Sequence, residues 1–295
     1  MSAPPRPDPS GTAPPAAATV PQRDRTLDGV WMGMARLAPY RLLGAPSARF
    51  VVERNLLLWR GQWAMLLSGV FEPLLYLLVL GVGVGGLVGQ LQVAGGASIS
   101  YGQFVAPGLL GSAAMNAAVF ETFNIYFKLY DNLYDAMGST PADPRDIAIG
   151  EIVWAVMRTG VYAIGFVGVM LALGLITSPL GLLAIPMAML VGFAFATTTL
   201  VATTYMRSWN DFDLLQILIV PLFLFSATFY PLDVLPGWAQ AITVASPLYH
   251  GVAAIRQLTL GTVDGWLIVY VLVLAGIGWA GLEAGGRRFA TLLRR

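Results

Sequence analysis

Four ionisable side chains stand inside stretches that are otherwise apolar: Glu72, Glu121, Arg158 and Glu283. Such charges are costly, and they mark ion pairs, cavities or pathways. Glu72 lies eight residues into its stretch, Glu121 seven before Lys128, and Arg158 seven after Glu151. At a helical rise of ~1.5 Å per residue, each falls about 10–12 Å from one membrane boundary. The spacing therefore predicts two carboxylates and one guanidinium in a single layer. Arg158 would pair with Glu121 or with Glu72, and the surplus carboxylate would be protonated or line a hydrated cavity. The blander reading is a pair that serves packing alone. Glu283 ends its stretch and reaches the interface without a special role.

Other chemistry is sparse. With no cysteine, the chain has no disulfides, thiol nucleophiles or thiolate-bound metals. The single histidine, His250, excludes a His-rich metal site, so no metal ligand set is predicted. Ser246, Tyr249, Asp233 and Asp264 lie near His250, but their spacing does not order a triad. The only lysine, Lys128, sits in Phe127-Lys128-Leu129, so no Gly-Lys-Ser/Thr phosphate loop can form. The run from Gly81 to Gly86 ends an apolar stretch, where small residues favour close helix contact.

The elements that must position these residues follow from composition. The 295 residues are 57% hydrophobic and 11% charged, with a mean hydropathy of +0.69. Soluble domains carry about 25% charged residues. This chain lacks the polar surface for a water-soluble globule. Its 17 basic and 16 acidic residues also lack the basic excess of a nucleic-acid binder. Six stretches are long enough to cross ~30 Å of hydrocarbon: 64–87, 104–127, 152–175, 180–204, 214–232 and 266–284. The fifth is short and broken by Pro221. Of the 17 Lys and Arg, 15 fall before the first stretch, in alternate loops or in the tail, Arg158 lies within a span, and only Arg256 lies on the other side. Basic residues gather on the cytoplasmic side. Six spans with both termini cytoplasmic satisfy this pattern.

Residues 1–26 are rich in Pro and Ala, carry no apolar run followed by a cleavage site, and read as a disordered cytoplasmic tail. Residues 27–63 form a cytoplasmic or interfacial segment. Leu27, Trp31, Met34 and Ala38 recur at helical spacing, and Ser47 can cap a helix over 47–62. Trp59 and Trp63 with Arg49, Arg54 and Arg60 suit a helix at the headgroup boundary; the plainer alternative is a cytoplasmic extension of span one. Residues 64–284 make the six-helix membrane domain and 285–295 a basic cytoplasmic tail. The 128–151 loop holds a short amphipathic helix through Leu129, Leu133 and Met137, ended by Gly138 and Pro141. Asp143-Pro144 then turns and Asp146 begins the next helix. Its apolar side packs on the protein itself or docks a cytoplasmic subunit. In the 233–265 loop, Pro236 and Pro247 each start a helix too short to span, re-entrant or interfacial in character.

The set Glu72-Pro73-Leu74-Leu75-Tyr76, Pro141 with Gly150-Glu151, Phe225-Ser226 and Phe229-Tyr230-Pro231-Leu232 resembles ABC-2 type exporter permeases, particularly the nodulation-type lipo-oligosaccharide and drug-resistance branch. Leu235-Pro236-Gly237-Trp238 and Pro247-Leu248-Tyr249-His250 continue the match, which covers roughly residues 48–285. The resemblance implies an all-α polytopic membrane protein and not an enzyme in itself. It would be a permease moving an amphiphilic lipid, glycolipid or drug outward. Two copies of a separate ATPase would supply the energy and bind ATP and Mg, with no cofactor in this chain. A second permease, a copy or a paralogue, completes the pair. The resemblance further implies that 47–62 is an inner gate or connecting helix and 236–259 an outer re-entrant pair. The 128–140 region becomes a coupling helix, with Leu129, Tyr130, Leu133, Tyr134 and Met137 toward the ATPase. Met115, Asn116, Phe225, Phe229 and Tyr230 fall near the dimer seam as candidate path residues; such side chains suit an amphiphile but also simply face lipid or core. The Arg-dominated, Ala/Gly-rich composition points to a GC-rich bacterial source, hence to a plasma membrane. Two rivals remain, a stand-alone secondary transporter and a membrane-embedded lipid-linked transferase. The first would show inverted repeats, and the second would cluster carboxylates, His or Arg at one face.

Overall fold

The computed structural model describes residues 45–59, 63–92, 98–130, 134, 143–208 and 210–293. The expected tail 1–26, the segment 27–44, Leu133, Met137 and the last two tail residues lie outside these. Helix α1 spans Ala48–Trp59. Helix α2, Trp63–Leu78, continues through a π-helical turn, Val79–Val84, and a last turn, Gly85–Val88. Helices α3 (Tyr101–Tyr130) and α4 (Pro144–Ala172) follow. A 3₁₀ turn, Pro179–Leu183, leads into α5, Ala184–Thr203. Then come α6 (Asp211–Leu224), α7 (Gly237–Ala245), α8 (Pro247–Leu260) and α9 (Trp266–Leu293).

Helix α5 is the hub, packed by α3, α4, α8 and α9. A stripe of Gly278, Gly281 and Gly285 on α9 lets the two backbones close on Phe193, Thr197 and Leu200, as small residues do between membrane helices. The threonine run in α5 is not a polar face: Thr197 and Thr198 donate back to Phe193 and Ala194 carbonyls at 2.9 and 2.8 Å.

Among the described residues five helices are long and apolar enough to span: Gly69–Val88, Tyr101–Leu129, Pro144–Ala172, Pro179–Thr203 and Trp266–Leu293. The expected fifth stretch, 214–232, departs from this. Its helix α6 has 14 residues and stops at Leu224. Pro221 has no N–H to donate, and Ala227 adopts a positive φ of 52°. The carbonyls and hydroxyls freed by the break are taken up locally. Ser226 Oγ donates to Phe223 O at 2.6 Å and meets Thr228 Oγ1 at 2.7 Å. Half-buried Arg256, on α8, donates to Ala227 O at 2.9 Å and to Phe104 O.

Other differences are local. The all-α expectation misses a small antiparallel hairpin, Gln90–Gln92 with Ser98–Ser100, pairing Leu91 with Ile99; Gly89, at φ 70°, turns the chain out of α2 to form it. In the Gly81–Gly86 run, a methyl on Gly81 or Gly85 would approach the start of α3, whereas Gly83 and Gly86 face open space. Helix α4 starts at Pro144 rather than Asp146, because Asp143 caps it by accepting from Arg145 N at 3.0 Å. The expected pair of short helices after 236 is present as α7 and α8.

Helix α1 is apolar on two faces. Ala48, Val51, Val52, Leu56 and Trp59 are buried, while Phe50, Leu57 and Leu58 are exposed. Trp59 therefore turns inward rather than to the headgroups: it packs edge-on to Trp154 at 5.8 Å. The buried face lies on α4, where a methyl on Gly150 would stand 2.7 Å from Val51 Cβ and 2.8 Å from Ala48 O. Gly150→Ala should thus lower the melting temperature in detergent, by overpacking worth about 1–3 kcal/mol. Gly168→Ala, with nothing within 4 Å, should be neutral or slightly stabilising. Equal effects of the two changes would contradict this packing.

Candidate functional site

Two charge layers lie stacked between α3 and α4. The first is built on Glu151, which is only 3% exposed. Its Oε1 accepts from Arg54 at 3.2 Å and from the Tyr134 hydroxyl at 3.0 Å. Its Oε2 accepts from Asn55 at 2.9 Å and from Lys128 at 2.6 Å. One carboxylate thus ties α1, the end of α3 and the α3–α4 connection to the start of α4. Arg54 falls between Phe50 and Leu58 on the helix surface, and it reaches round that edge to Glu151. Beneath it, Asp146 accepts from Ser47 N at 3.0 Å, fixing the start of α1.

The second layer is one step of seven residues along both antiparallel helices, about 10 Å deeper. Here Arg158 pairs with Glu121. Trp154 Nε1 donates to the other Glu121 oxygen at 2.6 Å, and Arg158 donates to the Tyr162 hydroxyl at 2.6 Å. The guanidinium also lies 5.6 Å from the Trp59 ring and 5.5 Å from the Tyr162 ring. Glu151, Trp154, Arg158 and Tyr162 form one stripe of α4, at helical spacing.

This layer forms one side of a groove of about 780 Å³ between α2, α3, α4 and α6. Glu72, Glu121 and Arg158 all line it, so the predicted charge layer is assembled in one place, with Arg158 on Glu121 and not on Glu72. Among the candidate path residues only Asn116 lines the groove. Met115 is fully buried in the core. Phe225, Phe229 and Tyr230 lie in and beyond the break that ends α6, where Phe229 packs edge-on to Phe223 at 5.0 Å. Aromatic walls that were not singled out, Phe120, Phe123 and Phe212, complete the lining, with Phe123 and Phe212 stacked at 3.9 Å.

Of the expected coupling residues, Leu129 packs on the core, and Tyr130 ends α3. Tyr134 is turned inward, 1% exposed, between Glu151 and the Phe289 ring of α9 at 5.3 Å. Leu133 and Met137 lie outside the described residues. Glu283 is half-buried and pairs with Arg145 and Arg287. Arg54, Asn55, Trp154 and the anchoring part of Glu151 were not foreseen, although the matched seven-residue steps from Lys128 to Glu121 and from Glu151 to Arg158 were visible in the sequence.

Helices long enough to span, a groove between four of them and two charge layers along the α3–α4 seam make this a multi-pass membrane protein. The comparisons say which kind: residues 47–260 match the ABC-2 type transporter family, and the chain belongs to it. It is 35% identical over 235 residues to nodulation protein J of Rhizobium leguminosarum bv. trifolii, covering 76% of this chain and 87% of that one. Nodulation protein J of Rhizobium meliloti is 32% identical over 216 residues, covering 72% and 80%. The daunorubicin resistance ABC transporter permease protein DrrB1 of Streptomyces coeruleorubidus is 26% identical over 234 residues, covering 75% and 80%.

Two predictions follow from the layers. Breaking a buried ion pair by removing one partner costs about 3–5 kcal/mol, whereas an apolar pair in its place is near neutral. Arg158→Leu should destabilise the protein strongly, and adding Glu121→Leu should recover much of the loss, while adding Glu72→Leu should not. Rescue by the Glu72 change instead would refute the observed pairing. Separately, burial and the adjacent Glu151 carboxylate push the Tyr134 phenol well above its ordinary 10.0. A group with a raised folded pKa contributes fully below its unfolded pKa, and this contribution fades as pH rises past it. Tyr134→Phe should therefore cost about 1.5–3 kcal/mol at neutral pH, the worth of a hydrogen bond to a charged group. The difference from wild type should shrink above about pH 10. Thermal melts from neutral to alkaline pH read both effects.

Proposed function

We propose that the chain is the membrane half of an ABC exporter, carrying an amphiphilic lipid, glycolipid or drug-like molecule outward across a bacterial plasma membrane. Two copies of a separate ATPase, holding ATP and Mg, would drive a pair of permeases, the second a copy or a paralogue. The observation that carries this reading is the groove: aromatic walls on α3 and α6 and a charged layer near its basic end suit a cargo with an apolar body and a polar head. The names of the relatives, nodulation protein and daunorubicin resistance permease, accord with it.

In this reading the end bearing Lys128, Arg145 and Arg287 faces the cytoplasm, with both termini there, and the hairpin end faces outward. That requires a sixth crossing by α6 and the break beyond it. Two contacts support it. Phe212 stacks on Phe123 near one end of α3, and Phe229 O accepts from the Tyr101 hydroxyl at 3.1 Å at the other. Those two levels of α3 are 22 residues apart, about 33 Å at the helical rise, which is enough for the hydrocarbon layer. The turns and bends over 225–230 carry the chain on where the short helix stops.

The Glu151 anchor gives the coupling segment its lever. Motion imposed on the 131–142 connection reaches Tyr134 and then Glu151, and from there α1 and α4 together. Leu129, Tyr130, Leu133 and Met137 complete that segment.

Co-expression with the partner ATPase should yield a complex whose ATP hydrolysis and outward transport need both chains. Transport by this chain alone, without nucleotide, would refute the proposal. Because the chain has no cysteine, topology can be read without background. Ser10→Cys and Thr291→Cys should label only from the cytoplasmic side, and Thr262→Cys only from outside.

A further inference from the structure

We infer that the groove selects amphiphiles bearing a single net positive charge, and that Glu72 is the residue facing that charge. The inference deepens the permease reading and rests on it for what the groove is for. Three acidic or basic side chains line the groove, Glu72, Glu121 and Arg158. Arg158 and Glu121 are bound to each other, so their charges cancel. Glu72 is exposed on the groove wall, and no hydrogen bond or ion pair engages it among the described residues. The lining therefore keeps one uncompensated negative charge.

An occupant with an apolar body expels water from this space. For a neutral molecule, that strips a carboxylate of its hydration and returns nothing; for an anion, repulsion is added. A cation restores the lost interaction. The remaining walls favour the same class. Tyr76 stands one turn beyond Glu72 on α2, and Phe120, Phe123 and Phe212 face the groove from α3 and α6. Aromatic faces attract cations within ~6 Å, most strongly where water is excluded. A volume of about 780 Å³ accommodates a drug-sized body, since ligand pockets run from roughly 300 to 1,000 Å³.

The test compares tetraphenylphosphonium with tetraphenylborate, ions of one shape and opposite charge, binding to the purified full-length chain in maltoside micelles by equilibrium dialysis. Tetraphenylphosphonium should bind saturably, about tenfold more weakly to Glu72→Gln, with Glu72→Asp close to wild type. Tetraphenylborate should only partition into micelles. Equal binding of the two ions, or an unchanged affinity in a folded Glu72→Gln, would overturn the assignment. Should Glu72→Gln not fold, Asn116→Asp adds a second carboxylate to the same groove and should tighten tetraphenylphosphonium; no tightening would overturn it as well. Dodecyltrimethylammonium should displace the probe more strongly than dodecylphosphocholine, which has the same quaternary head but a compensating phosphate. Equal displacement would assign the groove to a zwitterionic lipid head and overturn the net-cation requirement. Binding is read without any ATPase, so its failure leaves the permease reading standing. Failure of an ATPase to assemble would sink that reading and leave the binding result intact.

Discussion

The rest of the structure depends on one buried carboxylate. Removing Glu151 from water costs several kcal/mol, and the cost is met only because four donors fill both of its oxygens. Those donors belong to α1, the end of α3 and the α3–α4 connection. Once α1 is held there, Gly150 admits its backbone against α4 and Trp59 falls beside Trp154. Trp154 in turn donates to Glu121, and the Trp59 ring lies beside the Arg158 guanidinium. The second layer is therefore positioned by the first, and the groove wall by the second.

Two layers do what one would not: they fix register. The step from Lys128–Glu151 to Arg158–Glu121 is seven residues on each helix, two turns, and so both pairs form in a single alignment of α3 on α4. Sliding one helix by a turn would strip Glu121 of both Arg158 and Trp154 and take Lys128 from Glu151 at the same time, and leaving a buried charge without its partner costs several kcal/mol. Apolar packing alone would not discriminate so sharply, because lipid and protein interior are equally greasy and helix association in a membrane lacks a hydrophobic drive.

The sequence made the helical membrane class, the long helices α2–α5 and α9 and the short pair α7 and α8 legible, because apolar length and proline punctuation are local signals. It also placed Glu72, Glu121 and Arg158 at one depth from rise per residue alone. It did not reveal which carboxylate Arg158 takes, since depth says nothing of which helix faces which. It misjudged α6, where an uncharged run from 214 to 232 hides a helix break. That break is stable only because Ser226, Thr228 and the distant Arg256 supply the hydrogen bonds the backbone loses. In the sequence Glu151 serves only as a depth marker for Arg158 and as part of a Gly-Glu pair. Its four partners come from segments up to 97 residues away, a convergence no local pattern contains. The family resemblance implies a contact of Tyr134 with the ATPase, but a resemblance cannot say whether an aromatic ring docks a partner or the protein's own charges.

The groove's walls are unequal, and the inequality has a physical consequence. Helices α3 and α4 belong to the packed body around α5, with fully buried residues such as Met115, Ala155 and Phe166. Helices α2 and α6 flank it with Leu75, Val79, Val82, Leu214, Ile217 and Leu218 exposed. Helices α2 and α6 thus share less packing with the α5 hub than α3 and α4 do. The charge pair sits on the closely packed side and Glu72 on the loosely packed one. Widening the groove would carry Glu72 away from Arg158 and Glu121 without breaking that pair. A cavity built this way alters its affinity for a charged occupant while its core stays intact, a property that a uniformly packed bundle lacks.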